Sequence, residues 1–240
     1  HGDPYRLLTE NFESGDIVVY DTETTGLDLS KDEMVQLSAI RINRDGEIVA
    51  TFDQMVIPSV EIGEGAYQTH GFDMEYIQKN GGVSAKEALA RFSDFVKGCT
   101  LVGHNSLHFD APLVRRQLAE NELPPLDIKA EYDTLVMAKQ FYATMSSFKL
   151  SALCEKFGIV NEAAHNAYGD IVATGKVLCR MITEVVLTNV EKRKEVCAKH
   201  LEKFEKLYAF IEKLQEDMKR LSPRAVVQTV IEGLRIRSRY

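Results

Sequence analysis

The sequence predicts an α/β fold, in which a mixed five-stranded sheet is flanked by helices and followed by a C-terminal helical extension. Two observations predict this class. Two long strand-like segments are joined by Asp45-Gly46, which is typical of an antiparallel hairpin. Further along the chain, short apolar segments alternate with helical patterns, as they do where helices connect parallel strands.

The strands are predicted mainly from apolar and β-branched segments bounded by turn residues. The first is the run from Ile17 to Tyr20, which follows Gly15 and is too short to be a convincing helix. The predicted strands are residues 17–20, 34–43, 48–57, 100–102 and 129–132.

Five helices are predicted in the same region: residues 84–97, 111–121, 134–141, 150–157 and 166–186. Ser84 is a favourable N-cap for the first of them, and Glu87 three residues later completes a capping box. The second helix ends before Pro124-Pro125. Asp133 precedes the third helix and is predicted to cap it.

Three separated motifs carry four carboxylates and one histidine: DTETTGLD at 21–28, GHNSLHFD at 103–110 and HNAYGD at 165–170. Asp21 and Glu23 follow the first strand with a spacing of two, so in an extended chain both side chains point to the same face. A tight polar turn that brings backbone close to a ligand is predicted at Thr22, Thr24, Thr25 and Gly26.

These carboxylates predict metal ions. Four such groups side by side repel one another without a counter-ion, and some of them take up protons. Hard divalent ions such as Mg²⁺ prefer oxygen ligands and bind through a few carboxylates together with substrate phosphate oxygens. Two ions roughly 3.5–4 Å apart lower the pKa of a bound water, hold the scissile phosphate and stabilise the leaving oxygen. The residues are therefore those of a two-metal phosphodiesterase.

The third motif contains two residues, His165 and Asp170, for which we predict different roles. His165 and Asp170 are too far apart around a helix to share a face, because five residues turn about 500°. We expect Asp170 to project from the first turns of the last helix and His165 to lie on the loop before it. An imidazole, whose pKa is ordinarily near 6.5, is suited to taking a proton from a metal-bound water.

The three motifs resemble motifs I, II and III of the DEDDh exonucleases, the DnaQ-like family that includes the proofreading subunit of bacterial replicative polymerase. The resemblance covers residues 16–182, and all five catalytic positions match. It implies a ribonuclease H-like fold, two Mg²⁺ or Mn²⁺ ions, and hydrolysis from the 3′ end that releases nucleoside 5′-monophosphates. It also implies that His165 is the general base and that the metal ligands are Asp21, Glu23, Asp110 and Asp170.

The same resemblance implies further substrate-binding positions, namely Thr24, Leu27, His70 and Asn105. The first three would lie beside the 3′-terminal nucleotide, and Asn105 would organise the second motif or touch the substrate. An ordinary loop histidine is the alternative for His70, and an ordinary core position is the alternative for Leu27. His104 and His108 are expected to be structural or solvent-facing, because the general base is assigned elsewhere.

The net charge of −7 is unevenly divided along the chain. Residues 1–188 contain 16 Lys and Arg against 28 Asp and Glu, whereas residues 189–240 contain 13 against 8. The first part lacks the broad basic face of a tight nonspecific DNA binder, so its attraction for phosphate has to come largely from metal ions. We therefore expect weak binding of a short chain end, either single-stranded DNA or a frayed 3′ end.

Two domains are predicted: a DEDDh exonuclease domain at 1–188 and a helical extension at 189–240. Ser222-Pro223 ends one helix of the extension and starts another. The first of these helices has a narrow apolar stripe that packs against the nuclease core or awaits a partner. The stripe consists of Phe204, Leu207, Ile211, Leu214, Met218 and Leu221.

Both flanks bear on possible partners. Residues 203–230 resemble part of the accessory helical region of UvrD/Rep-type DNA helicases, and residues 3–8 resemble the stretch that precedes it. This resemblance implies an exonuclease domain inserted in or fused to a helicase. A polymerase in the same polypeptide or complex is the other expected partner. The start at His1 rather than Met also suggests an excised fragment.

Localisation is predicted from absent signals. No apolar run reaches the length of about 18 residues that suggests a membrane span, and the first residues lack a secretion-signal pattern. The cysteines have no C-x-x-C spacing, which favours reduced thiols in a cytoplasmic protein. They are Cys99, Cys154, Cys179 and Cys197.

Two other functions stay open. An RNA-directed 3′–5′ exoribonuclease of the same family would share every catalytic residue, because the 2′-hydroxyl decides the choice between RNA and DNA. A non-catalytic module that binds or tethers nucleic acid is the second, and the intact acidic residues argue against it. The preferred prediction is an exonuclease that acts on DNA ends in repair or replication.

Overall fold

The computed structural model describes residues 4–160 and 167–234. The chain forms two compact units, His1–Thr188 and Asn189–Tyr240. The first unit contains a sheet with helices on both faces, and the described part of the second is helical. The separate roles that we assign to these two ranges stay a prediction.

The sheet has six strands: β1 Ile17–Thr24, β2 Met34–Ile42, β3 Ile48–Ile57, β4 Val83–Ser84, β5 Thr100–Gly103 and β6 Ala130–Asp133. Their order across the sheet is β4-β3-β2-β1-β5-β6. β1, β2 and β3 form an antiparallel meander, whereas β5 runs parallel to β1 and β6 runs parallel to β5. The mixed α/β class is confirmed, but the predicted number of strands is wrong by one.

The helices of the first unit are α1 Arg6–Ser14, α2 Glu64–His70, α3 Met74–Lys79, α4 Ala85–Val96, α5 Asp110–Glu120, α6 Thr134–Phe141, α7 Leu150–Phe157 and α8 Ala167–Met181. A π-helical turn, Ile182–Val186, follows α8. Helix α9, Leu187–Asp217, and helix α10, Pro223–Gly233, complete the described chain.

The predicted hairpin between β2 and β3 is present. The Asn43 side-chain oxygen accepts the backbone N–H groups of Asp45 at 3.0 Å and Glu47 at 2.9 Å, and Gly46 has a left-handed φ of 79°. This Asx-type turn explains why Asp45-Gly46 connects the two strands without disturbing their register.

Each face of the sheet buries its own core. On one face Ile17 and Val19 of β1 pack with Ile171 and Val177 of α8. On the other face Val18 and Tyr20 pack against α4 and α5, where Phe92 is fully buried. Strand alternation thus directs successive β1 residues to different helical layers.

Two predictions about strands need correction. β1 does not end at Tyr20, and Thr22 and Thr24 lie in the strand rather than in a polar turn. Pairing with β2 extends it, because Asp21 and Glu23 lie opposite Ser38 and Gln36. β4 was not predicted, since two residues after a Gly-Gly pair carry no strand pattern.

Three helices were also not predicted. α1 begins within residues 3–8, the stretch that resembles a helicase segment, and its Leu8 and Phe12 are buried in the core that α8 shares. α2 and α3 are short and bury little, so they lack the apolar periodicity that identifies a longer helix. α2 ends at His70, and Gly71 follows it in the left-handed conformation.

Several local predictions are confirmed. Ser84 caps α4 by accepting the Glu87 N–H at 3.2 Å, although the Glu87 carboxylate pairs with Arg91 instead of completing the capping box. Cys99 and Cys154 are buried free thiols and Cys179 is a half-buried one. No helix within the described ranges is long and apolar enough to cross a membrane.

The second unit is a pair of helices in its described part. Ser222 caps α10 by accepting the Ala225 N–H at 3.3 Å, and Pro223 occupies its first turn, as predicted. A Cβ at Gly233 would overlap the Phe210 ring, so α10 packs closely against α9 there. Part of the predicted stripe is solvent-exposed within this unit, namely Leu207, Ile211, Met218 and Leu221.

Truncation after Asn189 is expected to leave a folded first unit, because the hydrophobic cores of this unit consist of residues up to Leu187. Removal of the basic segment should weaken binding to long DNA strands and flatten its dependence on salt. Circular dichroism melting and binding titrations at several salt concentrations measure both effects. A truncated chain that is insoluble, or inactive on short oligonucleotides, contradicts this expectation.

Candidate active site

The first two motifs meet at one edge of the sheet. β1 and β5 are parallel neighbours, with Ile17 paired with Thr100 and Val19 with Val102. Their carboxyl ends therefore lie side by side. The end of β1 carries Asp21 and Glu23, and the loop after β5 leads to Asp110 at the start of α5.

Asp21 and Glu23 continue the face of β1 that carries Ile17 and Val19, which is the face covered by α8. Both side chains are half-buried. A register shift follows Glu23, where β1 ends its regular pairing with β2. Such a bulge redirects the chain at the edge of a sheet, so the backbone turns away directly after the two carboxylates.

Asp110 approaches from the opposite layer. It is the first residue of α5 and is almost fully buried. Its Oδ1 accepts the Thr22 backbone N–H at 2.9 Å and the Thr22 hydroxyl at 2.6 Å. Thr22 lies between Asp21 and Glu23 in the strand, so these two bonds hold the Asp110 carboxylate beside both of them.

Asp170 lies in the first turn of α8, where the sequence predicted it. The four carboxylates act on one another electrostatically. Burial raises the pKa of Asp21, and the charges of Asp110, Glu23 and Asp170 raise it further. Burial, followed by the charges of Asp170 and Asp110, raises the pKa of Glu23 to about 7. Burial raises the pKa of Asp110 to about 6, although the Thr22 hydrogen bonds oppose that rise.

This donor set fits divalent cations. Raised pKa values mean that it is unfavourable to ionise these buried carboxyl groups together, and a hard cation would stabilise their ionised forms. Within residues 4–160 and 167–234, no three His, Cys, Asp or Glu side chains meet in an arrangement that could hold a metal ion by themselves. Asp110 and Asp170 nevertheless lie within electrostatic range of Asp21 and Glu23.

The loop of the second motif is held by Asp133, whose role the sequence predicted only in part. Its carboxylate caps α6 by accepting the Leu135 N–H at 2.8 Å. It also accepts the N–H groups of Asn105 at 2.9 Å and Leu107 at 3.1 Å. Gly103 and Asp133 are paired in the parallel β5–β6 register, which brings the loop and the cap together. The second role of Asp133 depends on this strand pairing, which local sequence patterns do not reveal.

A pocket of about 480 Å³ opens beside Glu23. His70 closes one side of it. The His70 Nδ1 accepts the Phe72 N–H at 3.0 Å, so Nε2 carries the proton and donates to the Thr24 carbonyl at 3.1 Å. Burial lowers the pKa of His70, which keeps this neutral tautomer. The lining comprises Thr22, Glu23, Thr24, Thr25, Gly26, Leu27, Gly63, Gly65, Ala66, Thr69, His70 and Phe109.

The pocket brings together three of the four predicted substrate-binding residues. Leu27 is 85% exposed, so the core alternative for this residue is wrong. Thr24 is buried and donates its hydroxyl to the Gly26 carbonyl at 2.6 Å, which stabilises the rim. Asn105 does not line the pocket; it has a left-handed φ of 65° and bonds Asp133 through its backbone.

The histidines of the second motif differ in environment. The His104 Nδ1 lies 2.9 Å from the Thr134 hydroxyl, and burial lowers the pKa of His104, which agrees with a structural role. His108 is exposed. The predicted general base, His165, lies outside the described residues.

The metal-free chain is expected to be less stable at about pH 8 than at about pH 5. The folded state raises the pKa values of Asp21, Glu23 and Asp110, so it binds more protons than the unfolded chain. This contribution to the free energy of unfolding is fully present at a pH below the ordinary pKa of a carboxyl group. It is lost as pH rises through the folded-state pKa values, which are about 6 for Asp110 and about 7 for Glu23.

Thermal melts in EDTA across this range measure the effect. A divalent cation should raise the melting temperature most at the alkaline end, since it binds the ionised carboxylates of the folded state. A flat profile without metal would contradict the mutual repulsion of these groups.

Comparisons with known proteins identify the family of this chain. A family model named RNase_T and described as an exonuclease matches residues 18–178. Among curated relatives, the PolC-type DNA polymerase III of Latilactobacillus sakei is 30% identical over 180 residues, which are 75% of this chain and 12% of that protein. The PolC-type polymerase of Thermotoga petrophila is 30% identical over 187 residues, which are 78% of this chain and 13% of that protein. The chain thus spans about an eighth of these relatives.

Solved structures show the same fold. A zinc-bound complex of E. coli exonuclease I with single-stranded DNA superposes with a TM-score of 0.62 and 21% identity, covering 70% of this chain and 40% of that one. Exonuclease I from Methylocaldum szegediense gives a TM-score of 0.59 and 22% identity, with the same coverage of both chains. These similarities confirm the ribonuclease H-like exonuclease fold. Family members generally use divalent metal ions.

Proposed function

Because this chain belongs to the RNase_T exonuclease family, we propose that it is a 3′–5′ exonuclease that removes nucleoside 5′-monophosphates from single-stranded DNA ends. The observation that carries the proposal is the grouping of Asp21 and Glu23 at the end of β1 with Asp110 of α5 and Asp170 of α8. The charges of Asp110 and Asp170 raise the pKa values of Asp21 and Glu23 there, beside a pocket of about 480 Å³.

Asp21, Glu23, Asp110 and Asp170 would hold two divalent cations, for which we propose Mg²⁺ or Mn²⁺. When bound, such ions supply an activated water and stabilise the charge on the leaving oxygen. The chain contributes the arrangement of the ligands. Thr22 fixes Asp110 through two hydrogen bonds, and the alternation of β1 directs Asp21 and Glu23 to the same face.

His165 is the proposed general base. It precedes Asp170 by five residues in the sequence. A neutral imidazole takes the proton of the attacking water, and this role matches the ordinary pKa of histidine to neutral pH. His104 is not a competitor for this role, because its Nδ1 is occupied by Thr134 and burial lowers its pKa.

The pocket beside Glu23 is the proposed site of the terminal nucleotide. Exposed Leu27 offers an apolar surface to a base, and the His70 ring, fixed between Thr24 and Phe72, lines the same pocket. An apolar surface of this kind suits stacking of one nucleotide at a chain end. The exonuclease I complexes with oligonucleotides support single-stranded DNA as the ligand.

The similarity to PolC-type polymerases supports a role in DNA replication or repair and association with a polymerase, either in one polypeptide or in a complex. The relatives described above do not bear on the RNA-directed alternative or on fusion to a helicase. Both stay predictions from the sequence.

The test is a time course on single strands of matched DNA and RNA sequence with Mg²⁺, Mn²⁺ or EDTA. A label at the 5′ end should give a ladder of shortening products, and a label at the 3′ end should give a mononucleotide at once. Faster hydrolysis of RNA would favour the exoribonuclease alternative. Binding without release of mononucleotides under any metal condition would favour the non-catalytic module.

A further inference from the structure

A row of polar side chains extends from the carboxylates across the neighbouring strands. Asp21 is paired with Ser38 of β2, and Ser38 is paired with Asp53 of β3. Glu23 is paired with Gln36 in the same way. Directly opposed residues in antiparallel strands project to the same face of the sheet. Ser38, Gln36 and Asp53 therefore share the face of Asp21 and Glu23, although no motif includes them.

Asp53 determines how Gln36 is oriented. The Asp53 Oδ1 accepts the Ser38 hydroxyl at 2.7 Å and the Gln36 Nε2 at 2.8 Å. Because Nε2 is the donor of the Gln36 amide, this hydrogen bond directs the amide nitrogen of Gln36 to β3. Ser38 is fully buried and Gln36 is 8% exposed, whereas Asp53 lies at the exposed edge of the row.

The oxygen of the Gln36 amide, Oε1, has no such partner among the described residues. Among the described residues, no hydrogen-bond donor reaches the buried Gln36 Oε1. A buried acceptor without a donor is unfavourable, and such an atom in a folded protein needs an explanation. Since Nε2 faces Asp53, Oε1 is turned away from Asp53. The residue paired with Gln36 on the opposite side of β2 is Glu23.

We propose that Gln36 is a positioning residue of the cation site: its Oε1, fixed by Asp53, accepts a hydrogen bond from the hydration shell of the cation that Glu23 holds. The inference rests on the proposed function. A divalent ion that keeps several waters needs neutral acceptors around its carboxylate ligands as well as the ligands themselves. Gln36 supplies one without adding negative charge to the four carboxylates already there.

The experiment measures Mn²⁺ affinity by calorimetry on the full chain. Gln36→Leu keeps the size of the side chain and removes the acceptor, and it should weaken Mn²⁺ binding by about 10- to 100-fold, the usual effect of losing an outer-shell partner. Asp53→Ala releases the amide and should weaken binding in the same direction. Asp53→Asn retains an acceptor oxygen for both donors and should restore affinity close to that of the unmodified chain.

Gln54→Leu is the matched control. Gln54 is the next residue of β3 after Asp53, and its amide bonds the Gly81 carbonyl and Arg91 instead of the row. This variant should bind Mn²⁺ normally. Melting curves in EDTA verify the fold of each variant, and Asp53→Ala carries the test if Gln36→Leu does not fold, because the Asp53 side chain is exposed.

Unchanged affinity in both Gln36→Leu and Asp53→Ala would overturn the inference while leaving the proposed function intact. An equal loss in Gln54→Leu would also overturn it, since it would indicate a general weakening of the sheet. An unmodified chain that neither binds Mn²⁺ nor releases nucleotides would instead reject the proposed function itself.

Discussion

Asp110→Asn is expected to lower the rate of nucleotide release by several orders of magnitude, because a neutral amide cannot replace a charged ligand of two divalent ions. The fold should survive. The Asn oxygen still accepts the two Thr22 donors that Asp110 Oδ1 accepts at 2.9 and 2.6 Å. Without metal the variant should be more stable than the unmodified chain above about pH 6, where burial of the ionised Asp110 is costly.

Single-turnover rates on an end-labelled strand measure the loss, and melting curves in EDTA measure the stability. Asp94→Asn changes an exposed carboxylate of α4 in the same way and should leave both unchanged. Asp110→Ala should be the less stable of the two Asp110 variants by about 1–3 kcal/mol, since it leaves the buried Thr22 N–H without an acceptor. Hydrolysis near the unmodified rate in Asp110→Asn would reject the site.

His165→Ala is expected to reduce the rate by about 10²–10⁴-fold, which is the usual contribution of a general base. The variant should still bind Mn²⁺, because the proposed ligands are the four carboxylates. Calorimetry separates the two roles. If Mn²⁺ affinity falls together with the rate, His165 is a ligand or a structural residue. His108→Ala, which changes an exposed histidine of the second motif, is the control and should retain both activity and Mn²⁺ binding.

Much of this fold is predictable from the sequence because its elements have strong local signals. The Asp45-Gly46 turn, the Ser84 and Ser222 caps and the alternation of strands with helices are all present in the structure. Local signals fail where tertiary pairing decides. β1 continues through the first motif because β2 pairs with it as far as Thr24, whereas the threonines alone suggested a turn.

In the site, too, residues in local motifs were predictable and residues placed by tertiary pairing were not. Three short motifs predict that Asp21, Glu23, Asp110 and Asp170 lie together, and in the structure the charges of Asp110 and Asp170 act on Asp21 and Glu23. The residues that support them were not predictable in the same way. Asp133 holds the second motif across the β5–β6 pairing. Gln36 lies on a strand whose register with β1 cannot be read from its own sequence.

Thr22 links the assembly of the four carboxylates to complete folding. It lies between Asp21 and Glu23 in β1, and it binds Asp110, which belongs to the helical layer opposite α8. The fourth carboxylate, Asp170, is carried by α8 itself. A chain in which only one layer has docked therefore has at most three of the four carboxylates in place. Under the proposed function, partly folded molecules would lack the complete set of metal ligands and should not hydrolyse the nucleic acid around them.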